Sequence, residues 1–179
     1  MATSKWALDP SHSEIQFKVK HMMVSNVTGN FGQFDVNVET VGDDFQQANI
    51  SFSADINSIS TGTTQRDDHL KSPDFFDAAT YPKLTFVSTS FNKVDDEEYE
   101  LIGNLTIKDV TKPVKLKVEF GGSGKDPWGN KKAGFSIQGK VDRKDFGLNW
   151  NAALETGGVL VGDEVKLSAE IQLAEVVEA

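Results

Sequence analysis

Val165-Lys-Leu-Ser-Ala-Glu-Ile-Gln-Leu173 carries an apolar or small residue at every second position, with Lys, Ser, Glu and Gln between them. Successive side chains of a β-strand point to opposite faces, so this stretch reads as a strand with one buried and one wet face. Ala133-Gly-Phe-Ser-Ile-Gln-Gly-Lys-Val141 repeats the pattern. Working outward, the same alternation runs through Ile15/Phe17/Val19, Phe34/Val36/Val38, Ile50/Phe52/Ala54/Ile56 and Leu84/Phe86. It recurs in Tyr99/Leu101/Gly103/Leu105/Ile107 and in Val114/Leu116/Val118/Phe120. These make eight one-faced strands. Parallel sheets are apolar on both faces, so the pairing is expected to be antiparallel.

The connections agree with an all-β chain. Val41-Gly-Asp-Asp, Val94-Asp-Asp-Glu-Glu, Gly121-Gly-Ser-Gly and Gly157-Gly have the residues of turns. Helical character is confined to Thr61–Leu70 and a short turn at residues 149–155. Eight one-faced strands close into a sandwich or a barrel, and strands of this length suit a tall, tilted barrel. Residues 1–179 read as one domain, long enough to bury a core without a staple.

Composition removes several functions. With no cysteine there are no disulfides, thiolate nucleophiles or Cys-based metal sites. A net charge of −9, from 27 acidic and 18 basic residues, repels phosphate backbones, and no basic cluster offsets it. Nucleic acid is therefore excluded as a partner, and so is stable membrane insertion, because no run approaches about 20 apolar residues. The start, Met1-Ala-Thr-Ser-Lys-Trp, lacks a signal-peptide core. A cytoplasmic location is expected as written, and a periplasmic one if a leader has been removed.

Small residues interrupt several apolar faces: Ala54 between Phe52 and Ile56, Gly103 between Leu101 and Leu105, Gly139 between Ile137 and Val141, and Ala169 between Leu167 and Ile171. If all four point inward at one height, they leave apolar volume for a hydrophobic guest. The alternative is that they mark bulges, corners or bulky neighbours.

More specific are the strings Trp6-Ala-Leu-Asp-Pro-Ser-His-Ser-Glu-Ile-Gln-Phe-Lys-Val-Lys-His-Met and Val24-Ser-Asn-Val-Thr-Gly-Asn-Phe. Gln65-Arg-Asp-Asp-His-Leu-Lys-Ser-Pro-Asp-Phe-Phe-Asp follows, then Tyr81-Pro, Phe86-Val-Ser, Gly103-Asn-Leu-Thr-Ile-Lys-Asp-Val-Thr and Asp142-Arg-Lys-Asp-Phe-Gly. In order and spacing, from about Trp6 to Leu173, the chain resembles the YceI-like family of bacterial polyisoprenoid-binding proteins. The resemblance implies an extended eight-stranded, antiparallel, lipocalin-like barrel with one or two short helical segments in its loops. A long apolar lipid would lie along its axis: an isoprenoid quinone, a polyprenyl phosphate or a fatty-acid-like amphiphile. No other cofactor and no metal is expected.

On that reading the barrel lining comprises Phe17, Val19, Phe34, Val36, Phe52, Ala54, Phe75, Phe76, Phe86, Leu101, Gly103, Leu105, Phe135, Ile137, Gly139, Trp150, Leu167 and Ala169. The head-group candidates are His12, His21, Arg66 and His69. His21 shares the face of residues 15, 17 and 19 and would either meet a head group or bond a loop carbonyl. Arg66-Asp-Asp-His69, ahead of Phe75-Phe76, would cap a barrel mouth, or Asp67 or Asp68 would cap a helical turn and pair with Arg66 or Arg143. Arg143 would pin a loop by bonding carbonyls or carboxylates.

The favoured function is non-enzymatic carriage or storage of the lipid. One alternative is a packed barrel serving as a protein-interaction scaffold, with homodimers formed through unpaired edges. The other is an enzyme using Asp67, Asp68 and His69. The three histidines show no H-E-x-x-H spacing and there is no G-x-S-x-G elbow.

Overall fold

The computed structural model describes residues 3–22, 24–41, 44–148, 150–151 and 161–176. Its strands are β1 (Thr3–Leu8), β2 (Glu14–His21), β3 (Ser25–Phe31), β4 (Phe34–Val41), β5 (Asp44–Asp55) and β6 (Ile59–Ser60). After the helix α1 (Thr64–Lys71) come β7 (Lys83–Lys93), β8 (Glu98–Ile107), β9 (Val110–Lys125), β10 (Lys131–Asp142) and β11 (Val161–Glu175). Tight 3-10 turns occupy Pro10–His12, Ile56–Ser58 and Arg143–Phe146. No described helix is long and apolar enough to cross a membrane.

Every pairing is antiparallel, and the order β1-β4-β5-β7-β8-β9-β10-β11 returns to β1. The β2–β3 hairpin extends this ring: β2 pairs with the first part of β11 and β1 with its last residues. β1 and β2 are thus two halves of one stave, as are β3 and β4, and β6 prolongs β5. Eight staves in up-and-down order form the closed barrel that the alternation and the family resemblance imply. The stretches Ala133–Val141 and Val165–Leu173 face each other residue by residue, from Ala133 opposite Leu173 to Val141 opposite Val165.

Pro10–His12 breaks the first stave because the chain must leave β1 and rejoin β11 lower down. The break is held by the Asp9 carboxylate, which accepts from Ser11 N (3.2 Å), Ser11 Oγ (2.7 Å), Gln172 Nε2 (3.3 Å) and the His12 ring (3.1 Å), with Lys132 Nζ at 3.5 Å. Asp9 N donates to the Gln172 carbonyl, and Gln172 N donates to Ser13 Oγ at 2.9 Å.

Three expectations differ from the structure. Gly121–Gly124 is not a turn but the end of β9, where the register with β10 slips and Gly122 takes a φ of +111°. That left-handed backbone suits glycine. The hairpin turn is Asp126–Asn130, closed by Asp126 Oδ1 accepting from Trp128 N and Asn130 N. In the 149–155 segment the described residues Trp150 and Asn151 are in neither helix nor strand; Asn149 and 152–155 lie outside the described residues, as do Gly42, Asp43, Gly157 and Gly158. Finally, β1 and β3 are strands that the alternation did not register.

The Asp9 carboxyl sits at about 2 instead of the ordinary 3.8, chiefly because Ser11 bonds its charged form, with His12 and Lys132 assisting. A folded-state value below the unfolded one adds stability that is complete above the unfolded value and is lost as pH falls from about 4 through about 2. Urea unfolding of the wild type and Asp9→Asn between pH 2 and 6 is expected to show a stability gap that closes across that window.

Candidate functional site

The inward faces do not fill the barrel. They enclose a cavity of about 580 Å³ whose walls are almost wholly apolar. That is within the usual range for small-molecule sites, about 300–1,000 Å³. Inward residues such as Phe17, Val19, Ile137, Val165, Leu167 and Ala169 are only half-buried, because the surface they leave uncovered faces this cavity.

The two ends differ. At the rim formed by the β4–β5, β7–β8 and β9–β10 hairpins, aromatic rings close the interior. Trp6, 2% exposed, packs on Phe45 at 4.9 Å and donates Nε1–H to Thr40 Oγ1 at 3.1 Å. Phe45 meets Phe135 (5.1 Å) and Phe120 (5.8 Å), and Phe91 stacks on Tyr99 at 4.7 Å. The opposite rim carries the β2–β3 hairpin, α1 and the Arg143–Phe146 turn, and there the cavity reaches exposed residues including Lys20, Thr63 and Gln65.

Polar groups gather at this second rim. The His69 ring lies edge-on to Trp150 (4.7 Å) and Phe75 (5.1 Å), and its Nε2 is 2.9 Å from Asp74 Oδ2. Arg66 donates Nε–H to Thr61 Oγ1 (2.8 Å) and one Nη to the Thr61 carbonyl (2.7 Å). Asp67 accepts from Thr61 N and Oγ1, which fixes the strand-to-helix junction below α1. Arg143, 4% exposed, donates to the carbonyls of Leu148, Trp150, Val161 and Gly162. Burial pushes its pKa down, with Asp163 and Asp142 opposing, and a guanidinium stays charged regardless. Arg143 therefore pins the chain around the rim, as its carbonyl-binding geometry suggested.

Among the described residues, every ionisable side chain lining the cavity is a histidine or a base: Lys20, His21, Arg66, His69 and Arg143. In a chain of net charge −9 this is a local reversal of sign.

Of the residues expected to line the barrel, Phe17, Val19, Val36, Phe52, Phe75, Phe76, Phe86, Leu101, Leu105, Phe135, Ile137, Trp150, Leu167 and Ala169 do so, together with His21, Arg66 and His69. Phe34 packs on Phe52 outside the lining (6.2 Å), and Ala54 is buried in a small core with Phe31, Ile56, Ile59 and Ala78. Gly103 and Gly139 are seats rather than voids. A Cβ on Gly103 would overlap the Phe86 ring and the Val87 carbonyl, and one on Gly139 would overlap Leu116. His12 points away from the cavity, 64% exposed, bonded to Asp9.

The enzyme-like grouping is not assembled either: Asp67 serves Thr61, Asp68 is exposed, and His69 meets Asp74. The pairing of Asp67 with an arginine does not form; both Asp67 and Arg66 bond Thr61 instead. Among the described residues, no cluster of three or more His, Asp or Glu is placed to hold a metal.

Phe31, Phe45, Phe91, Lys20 and Arg143 also line the cavity and were absent from the expected set. Phe91 is out of phase with Phe86 because β7 bulges between Ser88 and Ser90. Phe45 is out of phase with Ile50 across Gln47, whose φ is +62°.

Closed eight-stranded antiparallel barrels are either filled by their own side chains or leave room for one small ligand, and this one leaves an apolar chamber with one polar rim. The chain belongs to the YceI-like domain family, whose model matches residues 6–173. A UPF0312 protein of Staphylococcus aureus (strain MSSA476) is 41% identical over 175 residues, 96% of this chain and 99% of that protein. The Campylobacter jejuni YCEI protein superposes with a TM-score of 0.75 at 33% identity, covering 89% of this chain and 91% of that one. Burkholderia cenocepacia BcnA gives 0.80 at 25% identity, covering 92% and 98%. A domain from Saccharophagus degradans, described as polyisoprenoid binding, gives 0.67 at 16% identity, covering 96% and 98%, a likeness of fold alone.

Two substitutions test these assignments. Gly103→Ala is expected to lower stability by about 1–3 kcal/mol by forcing Phe86 and β7 apart; an unchanged urea midpoint would mean spare room beside Gly103. Arg143→Leu removes the guanidinium from four carbonyls, of which, among the described residues, only Val161's keeps a second side-chain donor, Asn151 Nδ2 at 2.8 Å, and is expected to cost about 3 kcal/mol. Faster proteolysis near Leu148–Val161 should accompany that loss.

Proposed function

We propose that the barrel holds the tail of a long-chain lipid of isoprenoid type, as a non-enzymatic carrier or store, with the head group at the α1 rim. The observation that carries this reading is the apolar cavity sealed by aromatic rings at one end and edged by bases at the other. Burial of about ten methylenes contributes roughly 8 kcal/mol. Association costs roughly 4–15 kcal/mol, so only a long chain binds tightly. A planar quinone with two carbonyls or a prenyl phosphate both offer acceptors to Arg66 and the two histidines. A lining without carboxylates among the described residues favours acceptor-bearing or anionic head groups over cationic ones. The Saccharophagus degradans domain of the same fold is described as binding polyisoprenoids, which agrees with this ligand class. A scaffold with a packed interior is disfavoured by the open volume, and an enzyme by the dispersal of Asp67, Asp68 and His69.

Mass spectrometry of an organic extract of the purified protein is expected to show a prenyl-chain lipid in near-stoichiometric amount. An empty extract, with no rise in melting temperature on adding a long-chain quinone, would reject the reading.

A further inference from the structure

We infer that the tip of the β2–β3 hairpin is where the protein docks on an anionic lipid bilayer, bringing the cavity mouth against the membrane; this rests on the reading of the cavity as a lipid chamber.

The tip sequence is His21-Met-Met-Val24, and Met23 lies outside the described residues. Val24 is 86% exposed and Met22 46%. The turn is tied back on itself by Val24 N and Ser25 Oγ, both donating to the His21 carbonyl at 3.3 Å. Two apolar side chains are thus presented to solvent from a bonded turn, and the residue before them, His21, lines the cavity. A lipid too apolar to cross water as a monomer must leave a bilayer close to the mouth that receives it. The apolar tip stands at that mouth.

Charge on the adjoining outer wall supplies the second observation. Lys18 faces Lys166, and Lys166 faces Lys140, across three neighbouring strands. Like charges directly opposite one another cost stability. None of the three, nor Lys20 nearer the tip, meets a carboxylate among the described residues. Asp142 and Glu164 lie nearer the rim on β10 and β11, leaving the β2 side, which leads to the tip, positive. An apolar point beside unpaired lysines matches the interface of a bilayer with anionic head groups.

Among the described residues, the other exposed large apolar groups are Val41, Val94, Trp128 and Val176 at the rim sealed by Trp6, Phe45 and Phe135, and Val87 midway along the outer wall on β7. Trp128, 83% exposed at the end closed by packed rings, provides the control.

Flotation with phosphatidylcholine vesicles containing phosphatidylglycerol, at low ionic strength, tests the inference. The wild type is expected to float, and Val24→Asp to lose roughly tenfold in binding, the effect of withdrawing a buried valine. Lys18→Glu combined with Lys166→Glu should weaken binding, as should raised salt, whereas Trp128→Asp should float like the wild type. Failure of the wild type to float, wild-type binding by Val24→Asp, or loss in Trp128→Asp would each overturn it. Flotation needs no cargo, so an empty lipid extract beside a Val24-dependent signal would overturn the lipid-chamber reading and leave the docking intact.

Discussion

The barrel closes only because one strand pairs with two consecutive segments of the same stave. β11 meets β2 over its first part and β1 over its last residues. A continuous strand could not do this without a local offset, and the Asp9 turn provides it. Its carboxylate collects donors from Ser11, His12, Lys132 and Gln172, so the offset is fixed to β11 from both sides. Loosening that turn would free β1, and with it Trp6, the ring that anchors the sealed end. Lower stability and a leaking cavity would share one cause.

The wall of the chamber follows from residues that lack side chains. Gly29, Gly103 and Gly139 sit where a Cβ would overlap Phe17, Phe86 or Leu116 respectively. Each glycine lets a neighbouring large side chain lie against the sheet instead of reaching across the barrel. An eight-stranded barrel is just wide enough for side chains to fill. Folding the rings back against the wall keeps the axis open. Core packing and ligand space are therefore set by the same contacts.

Fold class, strand pairing and most of the lining were legible because period-two alternation survives wherever inward positions carry large side chains. It fails where glycine takes an inward position in a short strand: in Ser25–Phe31 the inward residues are Val27, Gly29 and Phe31, and the middle one leaves no mark, whereas the longer strands carrying Gly103 and Gly139 keep enough large inward residues to show it. It fails again where a bulge changes phase, which is why Phe45 and Phe91 were missed. The small residues left two readings open for a different reason: a bulky neighbour holds at Gly103 and Gly139, whereas Ala169 does line the cavity. Composition shows that Gly103 lacks a side chain but not that Phe86, on the next strand, uses the space. The polar rim was legible only in part, since Arg66, His69 and Trp150 come together across some 80 residues of sequence and meet only once the barrel has closed.

Polarity along the barrel axis joins these features. At one end, Trp6, Phe45, Phe120 and Phe135 exclude water and supply no polar contact to a guest beyond rings already engaged with each other. At the other, three of the basic groups lining the cavity are positioned by their own local structure. Arg66 is held by Thr61, His69 by Asp74 and two rings, and Arg143 by four carbonyls. Asp67 and Asp74 are turned to those structural tasks and lie outside the lining, so among the described residues only basic ionisable side chains line the mouth. If the barrel holds a lipid as proposed, a tail entering head-last would bury its chain against the aromatic seal and leave its acceptors beside those groups. The reverse orientation would put the head among rings with no donor free to meet it, at the desolvation cost of an unpaired polar group. The orientation of such a guest would thus follow from which end of the barrel had side chains available to close it.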